Sequence, residues 1–542
     1  MFDALARHRL GGFAIIFCAL VLRLQGLDWD QGRGLHPDED NLVRAALELK
    51  WPNHWLPQFH AYNDLALWLP RWLSWLLCQD MSGACVRWAA RLASALFSTI
   101  AVAAMGAIAG HLAGRKSAIA TWLLAGFSAP LVQWAHFGTT ESALVCCIAL
   151  LWLQAVRWLQ GLDGSWRMVI VSALLLGVGF GMKTTALAAA AIPLCAVVVS
   201  PRRSEHVVRM LLSAAVLALL VASMAAPSIW GDSSGWLASM RFENAVVNGA
   251  TNVFWTRQFA HVPAGYLLKQ LWTALIGVGI FFACAGFLLL PSRNRKGMAA
   301  GLVFAVLYAA LASRWYAAFF RYLAPLFPAL IVLAGIGVAQ LLSLNKFVVI
   351  RALTLSGLLF FVVHGLDWAA SYQTTDPRVQ GEGVLARRAK ASDTIAVEPY
   401  DMALTGRWKT MVLPLESRDP AELAQALARS DWMLIASRRN WAVLPHIPSV
   451  APLACGYYTA LARGDLGWRR IALLQRFSPL GSLTRPGLLD EETRTVFDRP
   501  EVILWRNEDK LSASELTKHL TRNRSAIDCA PATLAAAWRQ VQ

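Results

Sequence analysis

The sequence predicts a polytopic α-helical membrane protein of about eleven spans plus interfacial helices, followed by one extramembrane α/β domain. Three observations lead there. Apolar runs of spanning length recur from residue 12 to residue 366, and about 20 apolar residues are what a helix needs to cross the hydrocarbon core of a bilayer. The chain has 542 residues, of which 56% are hydrophobic, only 15% are charged and 24 are tryptophan; a soluble globule of that length cannot hide such a balance from water. After about residue 367 the composition turns mixed, with short apolar strands and frequent Arg, Asp and Pro.

The first run, "GGFAIIFCALVLRLQGL", lacks a small-residue cleavage site and is followed by carboxylates, which marks a retained first span. Spans are expected near residues 10–27, 91–112, 118–135, 141–159, 167–181, 184–199, 208–228, 264–291, 298–313, 320–342 and 347–366. Basic clusters set their direction: Arg7 and Arg9, Arg115 and Lys116, Arg157 and Arg167, Arg202 and Arg203, Arg293 with Arg295 and Lys296, and Lys346 all fall on one side, which marks the cytoplasm. The formal net charge of +16 is therefore a topology signal and calls for no nucleic-acid partner.

The run "DLALWLPRWLSWLLC" at 64–78 is ambiguous in length. Counting it as a span turns every later basic loop outward, so parity places it at the interface. Trp68, Trp72 and Trp75 around Pro70 and Arg71 suit an amphipathic helix at the headgroups, with a re-entrant hairpin equally open. The stretch "GRGLHPDEDNLVRAALELKW", the segment "HFGTTES", the loop 229–263, "RWYAAFFR" and the C-terminal domain then share the outer face.

The expected domains are residues 1–366, in the membrane, and 367–542. In the second, "TIAVEP", "TMVLPL", "WMLIAS", "IALLQRF" and "EVILW" look like strands, "DPAELAQALARS" like a helix, and residues 508–542 like a helical tail. Of nine cysteines, Cys18, Cys146, Cys147, Cys195 and Cys284 lie in apolar runs without metal spacing and are most simply small core residues. Cys455 and Cys529 are the two in the polar domain, which leaves a disulfide open without requiring one.

Charged groups at the ends of apolar runs are the candidates for chemistry. Asp38 and Glu39, after His36, stand near a span end, where partial desolvation raises the basicity of a carboxylate and suits it to general-base work. The plainer reading is a solvated acidic turn or a cap for the helix "NLVRAALELK". Glu141 opens a later span on the same face, preceded by His136. Asp38 and Glu141 together suit a divalent cation such as Mg or Mn, an acceptor hydroxyl, or separate duties; capping by Thr139 or Thr140 is the plain alternative. Lys183 interrupts an apolar run and so calls for an anionic partner, unless it snorkels at a span end. Arg321 and Arg314 flank a further span mouth, where arginine grips phosphate or anchors headgroups among Trp315, Tyr316, Phe319, Phe320 and Tyr322. There is no Gly-rich phosphate loop, HExxH or CxxC, so nucleotide-driven transport and zinc hydrolysis lose support.

In this order and spacing the residues resemble the GT-C glycosyltransferases, in the bacterial branch similar to dolichyl-phosphate-mannose protein mannosyltransferases and to the lipid A aminoarabinose transferase. The stretch "LRLQGLDWDQGRGLHPDEDNLVRAA" looks like that family's first-loop signature. "RLASALFSTIAVAAMGAIAGHLAGRKSAIATWLLAGFSAPLVQWAHFGTTESAL" is similar to its next three spans, "GVGFGMKTTALAAAAIP" to its lysine-bearing segment, "FRYLAPLFPALIVLAG" to its Arg-Tyr-Leu-x-Pro span, and "EETRTVFDRPEVILWRN" to the closing strand of its outer domain. The resemblance implies that Asp38 activates an acceptor nucleophile with Glu39 beside it. Glu141 fills a second acidic position where relatives more often carry Asp, which leaves a metal role open. Lys183 and Arg321 match cations that face the donor phosphate. Where the aminoarabinose transferase has a Lys-Pro pair, this chain has "HAYNDL", so His60, Tyr62 or Asn63 stand in that place. His36, His60 and His136 are candidates for positioning donor or acceptor.

The expected activity is transfer of a sugar from a polyprenyl-phosphate carrier to a lipid, glycan or protein acceptor on the periplasmic face of a bacterial inner membrane. The leaving group is then a lipid phosphate whose charge is met by cations at span ends, and no nucleotide is needed. Two alternatives stand beside it. A flippase of lipid-linked glycans would carry ionisable groups at the bilayer midplane and pseudo-symmetric halves, which the sequence lacks. A non-catalytic envelope scaffold would leave its carboxylates dispensable.

Overall fold

The computed structural model describes residues 2–200, 207–251, 263–476, 478–480, 491–522 and 528–540. Arg202, Arg203 and Phe477, residues 252–262, and the side chains of Arg7, Arg9 and Arg293 lie outside the described residues. The chain forms two compact units, one from residues up to 248 and from 263 to 373, the other from residues 249–251 and from 374 onward.

The first unit is helical. Among the described residues, seven helices are long and apolar enough to span a bilayer: Gly83–Ala113, Glu141–Leu159, Ser165–Met182, Val208–Ala225, Arg295–Ala312, Phe320–Leu342 and Val348–Ser371. Two further apolar passages are bent pairs, Arg115–Gly126 with Ala129–Ala135 at 56° and Ala264–Ala274 with Val278–Leu288 at 100°. The expected runs at 10–27 and 184–199 form shorter apolar helices, Gly11–Leu24 and Thr184–Val199. The second of these begins as a 3-10 turn over Thr184–Ala190. Its rise of about 2 Å per residue lets fewer residues cover a given depth. The count of full spans is thus seven, or nine with each bent pair taken as one, against the eleven expected.

The first break has a legible cause. Pro130 sits at the start of Ala129–Ala135 and cannot continue the preceding helix, which ends at Gly126. The freed carbonyls of Ala125 and Gly126 accept from the buried guanidinium of Arg23 at 3.1 and 2.9 Å, and Arg23 Nε also donates to Ser98 Oγ at 2.8 Å. A cation within an apolar bundle is thereby matched to backbone oxygens that would otherwise be orphaned. The segment Asp64–Cys78 is one continuous helix with Pro70 inside it, which settles the choice against a hairpin.

At one end of this unit the basic loops gather. Asn294 Nδ2 donates to the Leu112 carbonyl, Gln160 Nε2 donates to the His111 carbonyl at 2.8 Å, and Arg157 and Arg167 pair with Asp163. The opposite end carries the acidic first loop and the starts of Gly83–Ala113 and Glu141–Leu159. Cys78 and Cys85 form a disulfide there. Cys146 and Cys147 are buried as expected of core residues, whereas Cys18 and Cys284 are exposed on the apolar outer surface of the helices. Small apolar side chains suit both places.

The second unit holds a five-stranded sheet of order β2-β1-β3-β5-β4, with β1 Thr394–Val397, β2 Lys409–Val412, β3 Trp432–Ile435, β4 Trp468–Gln475 and β5 Glu501–Asn507. All five strands fall on the runs that predict them. β1 pairs in parallel with β2 and β3, while β5 is antiparallel to β3 and β4. The predicted helix forms as Pro420–Ala428, capped by Asp419, and the tail contains Ala513–Leu520 and Pro531–Gln540. Leu423, Leu427, Met433, Ile435, Trp441, Tyr457 and Trp505 build one core. Cys455 and Cys529 are joined by a disulfide.

Candidate active site

The first loop ends in a helix, Pro37–Glu48, whose start follows from its residues. His36 caps it by accepting the Glu39 N–H on Nδ1 at 3.3 Å, and Pro37 supplies a preset φ with no N–H to satisfy. Neither Asp38 nor Glu39 is therefore needed as a cap. Three consecutive acids in a first turn project about 100° apart, and each meets a different partner.

Glu39 points inward and is fully buried. Its carboxylate accepts from Arg91 Nε and Nη2 at 2.9 and 2.6 Å and from the Gly138 N–H at 2.6 Å, with Arg87 Nε 3.3 Å away. Arg91 also donates to Asp30 at 2.8 Å and to the Leu27 carbonyl at 2.7 Å, and lies 4.8 Å over the Trp29 ring. The two arginines hold Asp30 down to about 2 against the upward push of its burial. Asp40 faces outward and pairs with Arg87 at 2.7 Å and Arg44 at 3.1 Å. These groups form a framework that fixes the first loop on the Gly83–Ala113 helix. Glu39, coupled to Asp38 by sequence, thus has both oxygens committed to that framework and is a positioning residue.

Asp38 is the acid left facing the open side. Its Oδ2 lies 3.1 Å from Arg321 Nη1, and the two side chains keep 24% and 17% of their surface exposed. Arg321 opens the Phe320–Leu342 segment with its guanidinium stacked 4.5 Å over Phe319. Glu141 begins its helix after Thr140, which makes no side-chain cap bond. Its Oε1 accepts from Lys183 Nζ at 2.9 Å. Lys183 sits in extended backbone between the Ser165–Met182 helix and the 3-10 turn, so its side chain leaves the apolar run where the helix stops.

Tyr62 lies among these charges. Burial raises its phenol well above the ordinary value, Asp38 and Glu141 add to the rise, and Arg321 opposes it. His36 is pushed down by burial and packs 4.5 Å from the Phe137 ring. His60 Nε2 meets Asp232 Oδ2 at 2.8 Å, and Asn63 accepts from Trp236 Nε1 at 2.9 Å, so "HAYND" clamps the loop that follows residue 227.

Two sequence candidates fall elsewhere. His136 is buried against the Tyr372 ring at 3.9 Å, with its nitrogens on the Val132 and Gln25 carbonyls, and burial lowers it to about 4. It is a structural histidine. Arg314 is exposed and makes no ion pair with a described residue.

The sequence expectation missed Glu243, in the helix Ser233–Val247, whose charge acts on Asp38, Arg321 and Lys183. It also missed Arg87 and Arg91, although two arginines four residues apart in an apolar run are a visible signal of a buried polar face. Asp38 and Glu141 each face a cation of the chain itself, and no group of three or more His, Cys, Asp or Glu side chains suited to a metal occurs among the described residues.

A cluster of two cations and three carboxylates at the ends of apolar helices invites comparison with known proteins. Residues 68–230 match the family model for dolichyl-phosphate-mannose-protein mannosyltransferase. The mannosyltransferase match takes in Arg87, Arg91, Glu141 and Lys183, and Asp38, Glu243 and Arg321 lie outside it. No curated protein sequence matches the chain. Among solved structures, ArnT from Cupriavidus metallidurans bound to undecaprenyl phosphate is 15% identical, with 92% of this chain and 98% of that chain covered and a TM-score of 0.44. The archaeal oligosaccharyltransferase AglB from Archaeoglobus fulgidus, in complex with an inhibitory peptide and a dolichol-phosphate, is 12% identical over 87% and 73%, with a TM-score of 0.43. The arabinofuranosyltransferase AftD from Mycobacteria is 13% identical over 92% and 40%, with a TM-score of 0.44.

Proposed function

We propose that the protein is a GT-C glycosyltransferase that moves a sugar from a polyprenyl-phosphate carrier to an acceptor hydroxyl at the outer face of a bacterial inner membrane. The observation that carries the reading is the convergence of two cations from different apolar segments, Arg321 beside the outward-facing Asp38 and Lys183 beside Glu141, with the charges of Asp38, Arg321 and Lys183 all acting on Glu243. Two cations at span ends suit a phosphate already anchored in lipid, and stabilise it as charge develops on the leaving oxygen. Asp38 holds and polarises the acceptor hydroxyl. The match of residues 68–230 to a family named for a dolichyl-phosphate-linked donor supports a polyprenyl-phosphate sugar as substrate. The lipid-facing ends of these segments keep membrane lipids as the carrier's surroundings.

Two disulfides support the sidedness. Cys78–Cys85 lies at the end of the first unit that bears the site, and Cys455–Cys529 lies in the second unit. Disulfides persist outside the reducing cytoplasm, and the basic loops gather at the other end of the first unit. Both point to a periplasmic site. In this reading Lys183 and Arg321 supply the positive charge, and the chelator arm of the test below asks separately for a divalent cation.

The test is sugar release from a panel of radiolabelled polyprenyl-phosphate sugars by purified protein in lipid, with and without chelator. Turnover that survives chelator and disappears in Asp38→Asn is expected. A folded parent that binds undecaprenyl phosphate and releases no sugar from any donor overturns the reading.

A further inference from the structure

The helix Ser233–Val247 lies between two spans and is pinned to the first unit along one face. At its start Asp232 accepts from Gly235 N and meets His60, and Trp236 donates to Asn63 Oδ1 at 2.9 Å. In its middle Met240 Sδ accepts from Thr184 Oγ1 at 3.6 Å, next to Lys183. At its end the Val247 carbonyl accepts from the N–H groups of Tyr316 and Ala317 at 2.9 and 3.1 Å, four residues before Arg321.

Positions 236, 240, 243 and 247 recur at spacings of four, three and four, which is one stripe of an α-helix. They are half-buried, whereas Leu237, Arg241, Phe242 and Asn244 are exposed. Glu243 is therefore aimed into the site by contacts on either side of it. The charged and titratable groups around it are Asp38 from the first-loop helix, Lys183 at the end of its helix, Arg321 and Tyr322 from the 320–342 segment, and Tyr62 from the first loop. Glu141 and His36 stand behind these. Asp38 is tied to Arg321 and Glu141 to Lys183, while Glu243 forms no ion pair with a described residue. Two of the three carboxylates are thus already bonded to a cation of the chain.

Resting on the transferase reading above, we propose that Glu243 is a catalytic residue that receives the acceptor's proton, with Asp38 orienting the same hydroxyl. As the acceptor O–H bond breaks, its oxygen forms the new bond to the anomeric carbon. The bond from that carbon to the phosphate oxygen breaks, and its electron pair leaves with the polyprenyl phosphate toward Lys183 and Arg321. The proton rests on the Glu243 carboxylate until water takes it away. Burial and the charge of Asp38 hold the Glu243 carboxyl above the ordinary range, against the pull of Arg321 and Lys183, which suits it to accept a proton near neutrality.

The experiment uses the full chain in lipid, radiolabelled undecaprenyl-phosphate sugars as donors, and undecaprenyl phosphate alone as a binding probe. Glu243→Gln is expected to lower kcat by about 10²-fold or more, with binding of undecaprenyl phosphate unchanged or tighter. The parent's kcat should rise with pH along a limb above the usual carboxylate range, Glu243→Gln should lack that limb, and Glu243→Asp should keep it at reduced rate. Parental kcat in Glu243→Gln overturns the proposal while leaving the transferase reading intact. Equal loss of kcat and of probe binding in both variants overturns it in favour of a structural role. A parent that binds the probe and turns over no donor overturns the transferase reading and this step with it.

Discussion

Replacing Glu39 by Gln separates framework from chemistry, and the structure fixes how large the effect should be. The carboxylate has no exposed surface, accepts three N–H groups at 2.6–2.9 Å, and has Arg87 at 3.3 Å. Glutamine has the same shape but turns one acceptor into a donor that faces Arg91 or the Gly138 N–H. Arg91 then keeps Asp30 as its close counter-charge, inside the protein. Breaking one side of a buried ion pair costs about 3–5 kcal/mol. Asp38→Asn removes one contact between side chains that are 24% and 17% exposed, and such pairs are worth about 0–1 kcal/mol. Unfolding of the reconstituted protein in rising SDS, followed by tryptophan fluorescence, should therefore show a large loss for Glu39→Gln and almost none for Asp38→Asn, although both stop sugar transfer. Equal stabilities for the two variants would refute the division of the acidic turn into one framework and one working carboxylate.

Lys183→Met and Arg321→Met should each weaken binding of undecaprenyl phosphate by roughly 10-fold or more; unaltered affinity in both removes the phosphate site. Asp38→Asn should tighten that binding by up to about fivefold, read by the same titration, because it removes the carboxylate charge that competes with phosphate for Arg321. Removing the Cys455–Cys529 disulfide, which closes a separation of 74 residues, should destabilise the second unit by about 4 kcal/mol, seen as faster hydrogen exchange across β3 and β5 after reduction or Cys529→Ser. Glu398, buried after β1 beneath Tyr457, is raised from 4.5 to about 8 by burial, with Asp401 adding to the rise. The folded state thus keeps a proton that the unfolded chain releases, so the second unit should lose stability as pH rises from about 4.5 to about 8 and level off above it. Hydrogen exchange of the full chain over that range should show the fall, and Glu398→Gln should flatten it.

What could be read from the residues was local. The apolar runs and the five strands depend on composition and spacing within a few turns, and they form where expected; the break at Pro130 falls inside the single span expected at 118–135, although its cause is equally local. The 100° bend was not legible, because it depends on Ile276 and Gly277 both taking positive φ, which a single glycine in an apolar run does not announce. Asp38, Glu141, Lys183 and Arg321 were visible because each charge interrupts or ends an apolar run. Their pairing was not, since Asp38 with Arg321 and Glu141 with Lys183 are joined by helix packing alone. Glu39 looked like the twin of Asp38, and only the rotation of a first helical turn sends it toward Arg91. Glu243 carried no signal in "WLASMRFENAVV", because its stripe has meaning only once Asn63, Thr184 and Tyr316 are seen against it.

The charges at this boundary form two sets with opposite electrostatic demands. Asp30, Glu39, Arg87 and Arg91 are buried and mutually ion-paired, so their energy depends on geometry and little on salt or ligand. Asp38, Glu243, Lys183 and Arg321 keep partial access to water, and both cations are engaged by carboxylates before any phosphate arrives. In the proposed reaction a phosphate that draws Arg321 toward itself loosens its hold on Asp38, which leaves Asp38 open to a hydroxyl once the donor is in place. Donor binding and acceptor activation are then coupled through one guanidinium, and a carboxylate activated only beside bound donor has less opportunity to turn water on the carrier. The acidic turn can serve in this way because the framework set holds its backbone still while the outward acid exchanges partners.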